Sequence, residues 1–197
     1  MASSDRDGKS KHDGSMTEPH AAQTAPSPWI VRFVDELPPD GPILDLACGG
    51  GRHGRLLLKR GRAVAFVDRD LSGVADLAET PGADLIEADL ETGGAFPLAG
   101  RTFAAVIVVN YLWRPILPDV ARLVQPGGLL LYETFLVGNE AFGRPKNPDF
   151  LLREGELSAL AQAQGLTVLD LVEGRVETPT GPAMKGRLAA RRGSLRG

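Results

Sequence analysis

The sequence predicts an α/β fold: a mainly parallel sheet of seven strands whose last strand is reversed, with helices on both faces. Two observations support this prediction. Four short apolar runs each end in a polar residue, at Asp45, Asp68, Asp89 and Asn110, so the ends follow at intervals of 23, 21 and 21 residues. Near the carboxyl end of the chain, a further run alternates between apolar and basic residues. The first pattern is typical of strand–connection–strand units, and the second of an antiparallel strand.

The apolar runs show little alternation between faces, which suits central strands that are covered on both sides. Parallel strands need a crossover of about a dozen residues, and the intervals leave room for one. The predicted strands are residues 43–44, 63–67, 84–88, 103–109, 129–135, 166–173 and 183–191.

The connections between these runs carry helix signals in some places and turn signals in others. Helices are predicted at residues 52–60, 71–78, 116–124 and 157–164. Gly61 and Gly165 follow two of them, where glycine commonly ends a helix. Residues 90–102 contain three glycines and a proline, which predicts a loop with at most one helical turn.

The last run has one apolar and one basic face. Met184, Gly186, Leu188 and Ala190 alternate with Lys185, Arg187 and Arg191. This alternation predicts an antiparallel strand at the edge of the sheet, with its basic face in solvent.

The composition indicates one globular domain, predicted at residues 28–192. The chain has 197 residues, 43% of them hydrophobic, and a net charge of −3, which gives no case for a nucleic-acid or membrane partner. One cysteine, Cys48, excludes an internal disulfide and a Cys-based zinc site, and no metal is predicted. Residues 1–27 are predicted to form a disordered tail without a secretion signal, and residues 193–197 a frayed end. A cytoplasmic monomer or homodimer is expected.

The segment after the first run allows two interpretations. Gly49, Gly51 and Gly54 match the spacing of a dinucleotide-binding loop, and Asp68 comes 19 residues after the first of them, where such a protein binds ribose. However, Asp45 stands just before the loop, where it would repel a pyrophosphate and hold an amino group. Asp89 suits an adenine amino group. A ligand with adenine, ribose and an ammonium but no phosphate, such as S-adenosylmethionine, fits these carboxylates better than a dinucleotide.

These residues resemble the class I S-adenosylmethionine-dependent methyltransferases, which have a Rossmann-like fold. Residues 45–51 resemble motif I, with Ala47 where many members have glycine. Asp68, residues 87–89, residues 103–110 and the Pro-Gly-Gly segment at 126–128 resemble the later motifs, in the family's order. The resemblance covers residues 28–192. It is greatest to small bacterial stand-alone methyltransferases, including those associated with tellurite resistance. It implies a sheet in which the last strand is inserted beside the fifth.

The resemblance implies S-adenosylmethionine as cofactor and a role for each matching position. At the methionine end of the cofactor, Asp45 would support the ammonium, and Asn110 would face the same end. The loop around the methionyl part would be formed by Ala47, Gly49 and Gly51. Asp68 would accept the ribose hydroxyls, and Asp89 and the Leu90 N–H would contact the adenine. Residues 110–113 lack the Asn/Asp-Pro-Pro-aromatic loop of nucleic-acid and protein methylators, which favours a small-molecule acceptor.

The catalytic residue is left open, with Tyr111, His53 and Glu133 as candidates. A solvated histidine in the first turn of a helix is the simpler interpretation of His53. Trp113 and Arg114 are candidate walls of the acceptor pocket, and residues 143–150 form either a lid or a rigid surface loop.

Two alternatives to a methyltransferase remain at this stage: an NAD(P)-binding oxidoreductase and a catalytically silent binding module. The oxidoreductase would need a catalytic Tyr/Lys or His/acid arrangement, and neither is identified; the first would place a lysine four residues after a tyrosine. Neither Tyr111 nor Tyr132 has one.

Overall fold

A computed structural model describes residues 25–194 and shows a seven-stranded sheet in the order β3-β2-β1-β4-β5-β7-β6. The strands are β1 Ile43–Leu46, β2 Val64–Asp68, β3 Ala83–Glu87, β4 Phe103–Val109, β5 Val124–Phe135, β6 Leu166–Thr178 and β7 Gly181–Arg192. The first five strands run parallel to one another, and β7 is antiparallel to both of its neighbours, β5 and β6. The predicted fold class is confirmed.

Four α-helices accompany the described strands: α1 Pro28–Val31, α2 Arg52–Leu58, α3 Leu117–Arg122 and α4 Glu156–Ala163. The helix predicted at 71–78 is instead a 3-10 helix, Leu71–Leu77, with the Asp70 carboxylate accepting the Ser72 N–H. Close packing against the glycine loop explains its course, since a Cβ on Gly73 would lie 2.8 Å from the Gly49 carbonyl oxygen. The helix predicted at 116–124 ends early because the chain enters β5 at Val124.

Apolar side chains cover both faces of the sheet. On one face, α3 packs against β5 and α4 against β6 and β7, and the apolar cluster there includes Leu117, Val120 and Leu157. On the other face, α2 and the amino-terminal segment pack through a cluster that includes Trp29 and Phe33. Burial of this apolar surface is the main stabilising contribution, and it fixes the carboxyl ends of β1 to β5 at one edge of the sheet.

The last strand is not at the edge of the sheet, and this part of the prediction is wrong. β7 lies between β5 and β6, and β6 is the edge strand. The basic face of β7 is covered as well, since Lys185 is only 3% exposed. The alternation of residues 183–191 therefore marks a buried polar face, because a row of charges looks the same in sequence whether solvent or protein covers it.

The ends of the chain fall partly outside the described residues. The predicted tail, with the exception of residues 25–27, and the last three residues are not among them. Ser27 is buried, and it donates a hydrogen bond to the Glu133 carboxylate from its hydroxyl. Packing against the sheet therefore begins at this residue. No helix within residues 25–194 is long and apolar enough to cross a membrane.

Candidate active site

A cavity of about 340 Å³ opens at the edge where β1, β2, β3 and β4 end. Its lining comprises Ala47, Asp68, Arg69, Ala88, Asp89, Leu90, Glu91, Asn110, Tyr111 and Phe150. Positions that the sequence motifs single out on four different strands therefore meet around one space. The parallel topology produces this meeting, because the carboxyl ends of such strands share an edge.

Asp45 lies beneath the cavity and does not line it. The side chain is 2% exposed at the end of β1, and Oδ2 accepts a hydrogen bond from the Gly54 N–H at 2.8 Å. Burial raises the pKa of the Asp45 carboxyl to about 7, more than the Gly54 hydrogen bond and the Arg52 charge lower it. A buried carboxyl of this kind gains from a cationic partner, because such a partner favours its charged form.

The N–H groups of the three glycines already have acceptors within the protein. Gly49 donates to Asp68 Oδ2 at 2.8 Å, Gly51 donates to the Cys48 carbonyl at 2.8 Å, and Gly54 donates to Asp45. A dinucleotide-binding loop directs such groups at a pyrophosphate. In this chain they are not available for that purpose.

Two of the glycines are required by packing. A Cβ on Gly51 would lie 2.6 Å from Val74 Cγ1, and one on Gly54 would lie 2.2 Å from Phe66 Cε1. Gly49 has open space around it and a φ of 52°. Ala47 also has a positive φ, 53°, at the position where the resembling family often has glycine. The alanine therefore holds a backbone conformation that glycine adopts without strain.

Two of the three carboxylates that line the cavity, Asp68 and Asp89, accept backbone N–H groups from turns that follow them. Asp68 ends β2, and its second oxygen accepts the Asp70 N–H at 3.2 Å. Asp89 follows β3, is exposed, and accepts the Glu91 N–H at 2.9 Å. Leu90, which lies between Asp89 and Glu91, is buried. Both carboxylates keep acceptor capacity toward the cavity, since each oxygen has two lone pairs.

Tyr111 brings a buried hydroxyl to the cavity wall. Within residues 25–194 no acceptor meets hydrogen-bond geometry with this hydroxyl, although the Glu91 carboxylate is close enough to act on it. Burial first, and then the nearby Glu91 carboxylate, raise the pKa of Tyr111, so the phenol stays protonated at neutral pH. Its carbonyl oxygen accepts the Tyr132 hydroxyl at 2.9 Å, an anchor that sequence reasoning did not identify.

His53 is buried, so the interpretation as a solvated histidine is wrong. The ring is 3% exposed in the first turn of α2, and Nε2 accepts the Ser27 N–H at 3.1 Å. Burial lowers the pKa of His53 to about 3, and the adjacent Arg52 charge contributes in the same direction. The lone pair that a general base would use is thus engaged by the amino-terminal segment, and this geometry favours an anchoring role.

A buried charged cluster adjoins the cavity where β4, β5 and β7 meet. We call it the Lys185 cluster, and it consists of Lys185, Glu133, Arg187 and Asn110. Glu133 is buried and accepts from Arg187 Nε at 3.1 Å, while Lys185 Nζ lies 4.0 Å from its other oxygen. Lys185 also donates to Asn110 Oδ1. Sequence reasoning missed Lys185, and the row of basic residues in β7 was the available signal.

The carboxyl end of residues 143–150 is held in place by contacts with Arg114. Arg114 pairs with the Glu156 carboxylate at 2.7 Å and donates to the carbonyl oxygens of Asp149 and Leu151. Phe150 reaches the cavity from this segment. Arg114 therefore anchors the loop. The other predicted wall residue, Trp113, lines a smaller neighbouring cavity of about 180 Å³.

Comparisons with known proteins agree with this architecture. A family model described as a methyltransferase domain matches residues 43–128. Among solved structures, TehB from Haemophilus influenzae is similar at 18% identity and a TM-score of 0.65, over 83% of this chain. The chain spans 62% of that protein, less than two thirds of its length.

Two further structures extend the comparison. An S-adenosylmethionine-dependent methyltransferase from Mesorhizobium loti is similar at 17% identity and a TM-score of 0.65, over 84% of this chain and 96% of that one. The 1,6-didemethyltoxoflavin-N1-methyltransferase of Burkholderia thailandensis, solved with its substrate and S-adenosylhomocysteine, has 19% identity and a TM-score of 0.59, over 83% and 76%.

The match to the methyltransferase-domain model over residues 43–128 and the sheet order together define the fold. This chain has the fold of the class I S-adenosylmethionine-dependent methyltransferases, with the last strand inserted beside the fifth. The fold that the motif resemblance implies is confirmed.

Proposed function

We propose that this protein is an S-adenosylmethionine-dependent methyltransferase that acts on a small molecule. The observation that carries the proposal is the arrangement of hydrogen bonds in the glycine loop. The N–H groups of Gly49, Gly51 and Gly54 all have acceptors within the protein. The charged residues of the cavity wall are three carboxylates against one arginine: Asp68, Asp89, Glu91 and Arg69. This environment suits hydroxyl, amino and sulfonium groups and disfavours phosphates.

The residues present fit the cofactor. Asp68 would accept the ribose hydroxyls, and Asp89 with the Leu90 N–H would contact the adenine. Ala47 and the glycine loop would pass along the methionyl part, with Asp45 beneath it supporting the ammonium. When bound, the cofactor supplies a methyl group that is already activated by the sulfonium charge.

With an activated donor, the contribution of the chain is positioning and exclusion of water. The acceptor must reach the methyl carbon in line with the breaking bond. The acceptor would be positioned by cavity-lining residues at the end of β4, Asn110 and Tyr111, and by Phe150 on the loop. The protonated Tyr111 hydroxyl can donate a hydrogen bond to an acceptor group, and because it is buried without a partner, such a bond would be favourable.

Calorimetric titration with S-adenosylhomocysteine, and in parallel with NADH and NADPH, tests the proposal. We expect binding of the first ligand only, and at least a 100-fold loss in Asp68→Ala, because two charge-assisted hydrogen bonds disappear. Asp35→Ala is the matched control, since this carboxylate is 95% exposed and remote from the cavity. Binding of a nicotinamide ligand without S-adenosylhomocysteine would overturn the proposal.

The role of residues 143–150 needs a separate measurement. If the segment closes over the acceptor, Phe150→Ala should reduce turnover of an identified acceptor while the affinity for S-adenosylhomocysteine stays within about twofold. Phe142→Ala is the control, because Phe142 is equally exposed but does not line the cavity. Equal turnover in both variants would identify the segment as a surface loop. A search for turnover also separates an enzyme from a silent binding module.

A further inference from the structure

Lys185 is buried beside the cavity, and its ammonium has too few close partners to offset the loss of its hydration. Its ammonium makes one hydrogen bond, to Asn110 Oδ1, lies 3.4 Å from the centre of the Phe135 ring, and is 4.0 Å from the nearest Glu133 oxygen. Such a site for a lysine is costly, because burial penalises an ammonium that lacks close hydrogen-bond partners. Burial lowers the pKa of Lys185 to about 8.

The hydrogen bond from Lys185 fixes the orientation of the Asn110 amide. A lysine ammonium has only donors, so the atom that faces it must be the amide oxygen. The amide nitrogen, with its two N–H groups, then has no partner within the described part of the chain. Asn110 is exposed, lines the cavity and has a φ of 59°, which asparagine tolerates better than most residues.

The charges behind Asn110 are mainly positive. Lys185 and Arg187, both on β7, share the single Glu133 carboxylate of β5. Arg52 of α2 adds a further positive charge that acts on Lys185. His53, also on α2, is neutral at pH 7 because its pKa is lowered. The amide N–H groups therefore stand in front of a net positive charge.

We propose that Lys185 is a positioning residue, which holds the Asn110 amide so that its N–H groups bind a negatively charged oxygen in the cavity. This inference rests on the proposed function and adds the chemical class of the group recognised at this end of the site. Two ligands can supply such an oxygen: the amino-acid carboxylate of the cofactor, or a carboxylate or other oxyanion of the methyl acceptor. The acidic residues at the opposite end of the cavity, Asp68 and Asp89, would repel the same group.

Binding of two related ligands separates the first source from the second. S-adenosylhomocysteine carries the amino-acid carboxylate, and 5′-methylthioadenosine lacks the whole amino-acid part. We would measure both affinities by calorimetry at pH 7 and at pH 9.5, for the wild type, Lys185→Met, Lys185→Arg and Asn110→Asp. Lys59→Met is the matched control, since Lys59 is exposed at the end of α2.

If the cofactor supplies the oxygen, Lys185→Met and Asn110→Asp should weaken S-adenosylhomocysteine about 10- to 100-fold at pH 7 and leave 5′-methylthioadenosine unchanged. Asn110→Asp retains an acceptor for Lys185, so its loss of affinity would not arise from misfolding. The wild type should lose its preference for S-adenosylhomocysteine at pH 9.5, where Lys185 is neutral. Lys185→Arg should lose less of the preference than the wild type, because arginine stays charged and only the ammonium of the ligand titrates.

If the acceptor supplies the oxygen, the two affinities do not depend on Lys185. Sodium acetate, added to protein saturated with S-adenosylhomocysteine, should then shift the Asn110 side-chain amide signals in a ¹⁵N NMR spectrum. The shift should disappear in Lys185→Met and persist in Lys59→Met. Independence of all these readouts from Lys185 and Asn110 would overturn the inference and leave the proposed function intact. Failure of the wild type to bind either adenosine ligand would overturn the proposed function instead.

Discussion

The two ends of the cavity are built in opposite ways. At the end formed by β2 and β3, Asp68 and Asp89 are partly or fully exposed, and each accepts the backbone N–H two residues later; Asp68 also accepts the Gly49 N–H from the glycine loop. At the other end, Lys185 and Glu133 are buried, and the hydrogen bonds within the Lys185 cluster join residues 54 to 75 positions apart. One end is acidic and open, and the other is predominantly basic and enclosed.

This difference separates ligand binding from stability. An exposed carboxylate costs little to the fold and is easily replaced, so its removal should affect the ligand alone. A buried charge that loses its partner destabilises the whole domain, because the remaining charge stays desolvated. Variants of the acidic end should therefore change affinity, whereas variants of the basic end should change both affinity and stability.

The largest effect is expected from Glu133→Gln. The amide cannot neutralise Lys185 and Arg187, and we expect a loss of about 3–5 kcal/mol in the free energy of unfolding. Urea denaturation measures this loss. Glu177→Gln is the control, since Glu177 and its partner Arg175 are both well exposed and the change should stay within about 0.5 kcal/mol. Equal effects of the two variants would contradict the buried ion-pair assignment.

Asp45→Asn should stabilise the protein at alkaline pH. The folded-state pKa of Asp45 is raised to about 7, above its unfolded value. Its contribution is therefore present at acidic pH and is lost as the pH rises through 7. At pH 8 we expect the variant to be more stable than the wild type by about 2–4 kcal/mol, with little difference near pH 4.

The same variant should bind S-adenosylhomocysteine more weakly, because the ammonium loses its carboxylate. Urea denaturation at both pH values, with calorimetry alongside, measures the two effects. Equal stability of variant and wild type at pH 8 would show that burial does not perturb this carboxyl.

His53→Gln should have the opposite dependence on pH. The folded-state pKa of His53 is lowered to about 3, so the histidine contributes fully above pH 6.5 and progressively less as the pH falls toward 3. The wild type should lose about 2 kcal/mol from this group between pH 7 and pH 5, and the variant should not. Denaturation midpoints at the two pH values test this, and a parallel decline in both proteins would contradict it.

The smallest effect on stability is expected from Asp89→Ala. The exposed carboxylate supports only the Glu91 N–H, so the free energy of unfolding should change by less than about 0.5 kcal/mol. The affinity for S-adenosylhomocysteine should fall about 10-fold through loss of the adenine contact. A large change in stability with unchanged affinity would reverse the contrast between the two ends of the cavity.

The sequence by itself determined the order of strands along the chain, the carboxylates at their ends and the resemblance to a methyltransferase class. These features depend on local patterns: apolar runs of strand length, turn residues, and an acidic or amide residue at or near the end of each of the first four strands. Asp68, Asp89 and Asn110 meet in one cavity because parallel strands end at the same edge, a rule that needs no coordinates.

Only the tertiary structure decided which polar residues are buried. His53, Glu133 and Lys185 are ordinary charged or polar residues in sequence, and each is covered by segments far away in the chain, including the contact from Ser27. Because β7 lies inside the sheet, one of its basic residues, Lys185, is buried and donates a hydrogen bond to Asn110. Burial depends on which distant segments pack together, and a local pattern does not specify this.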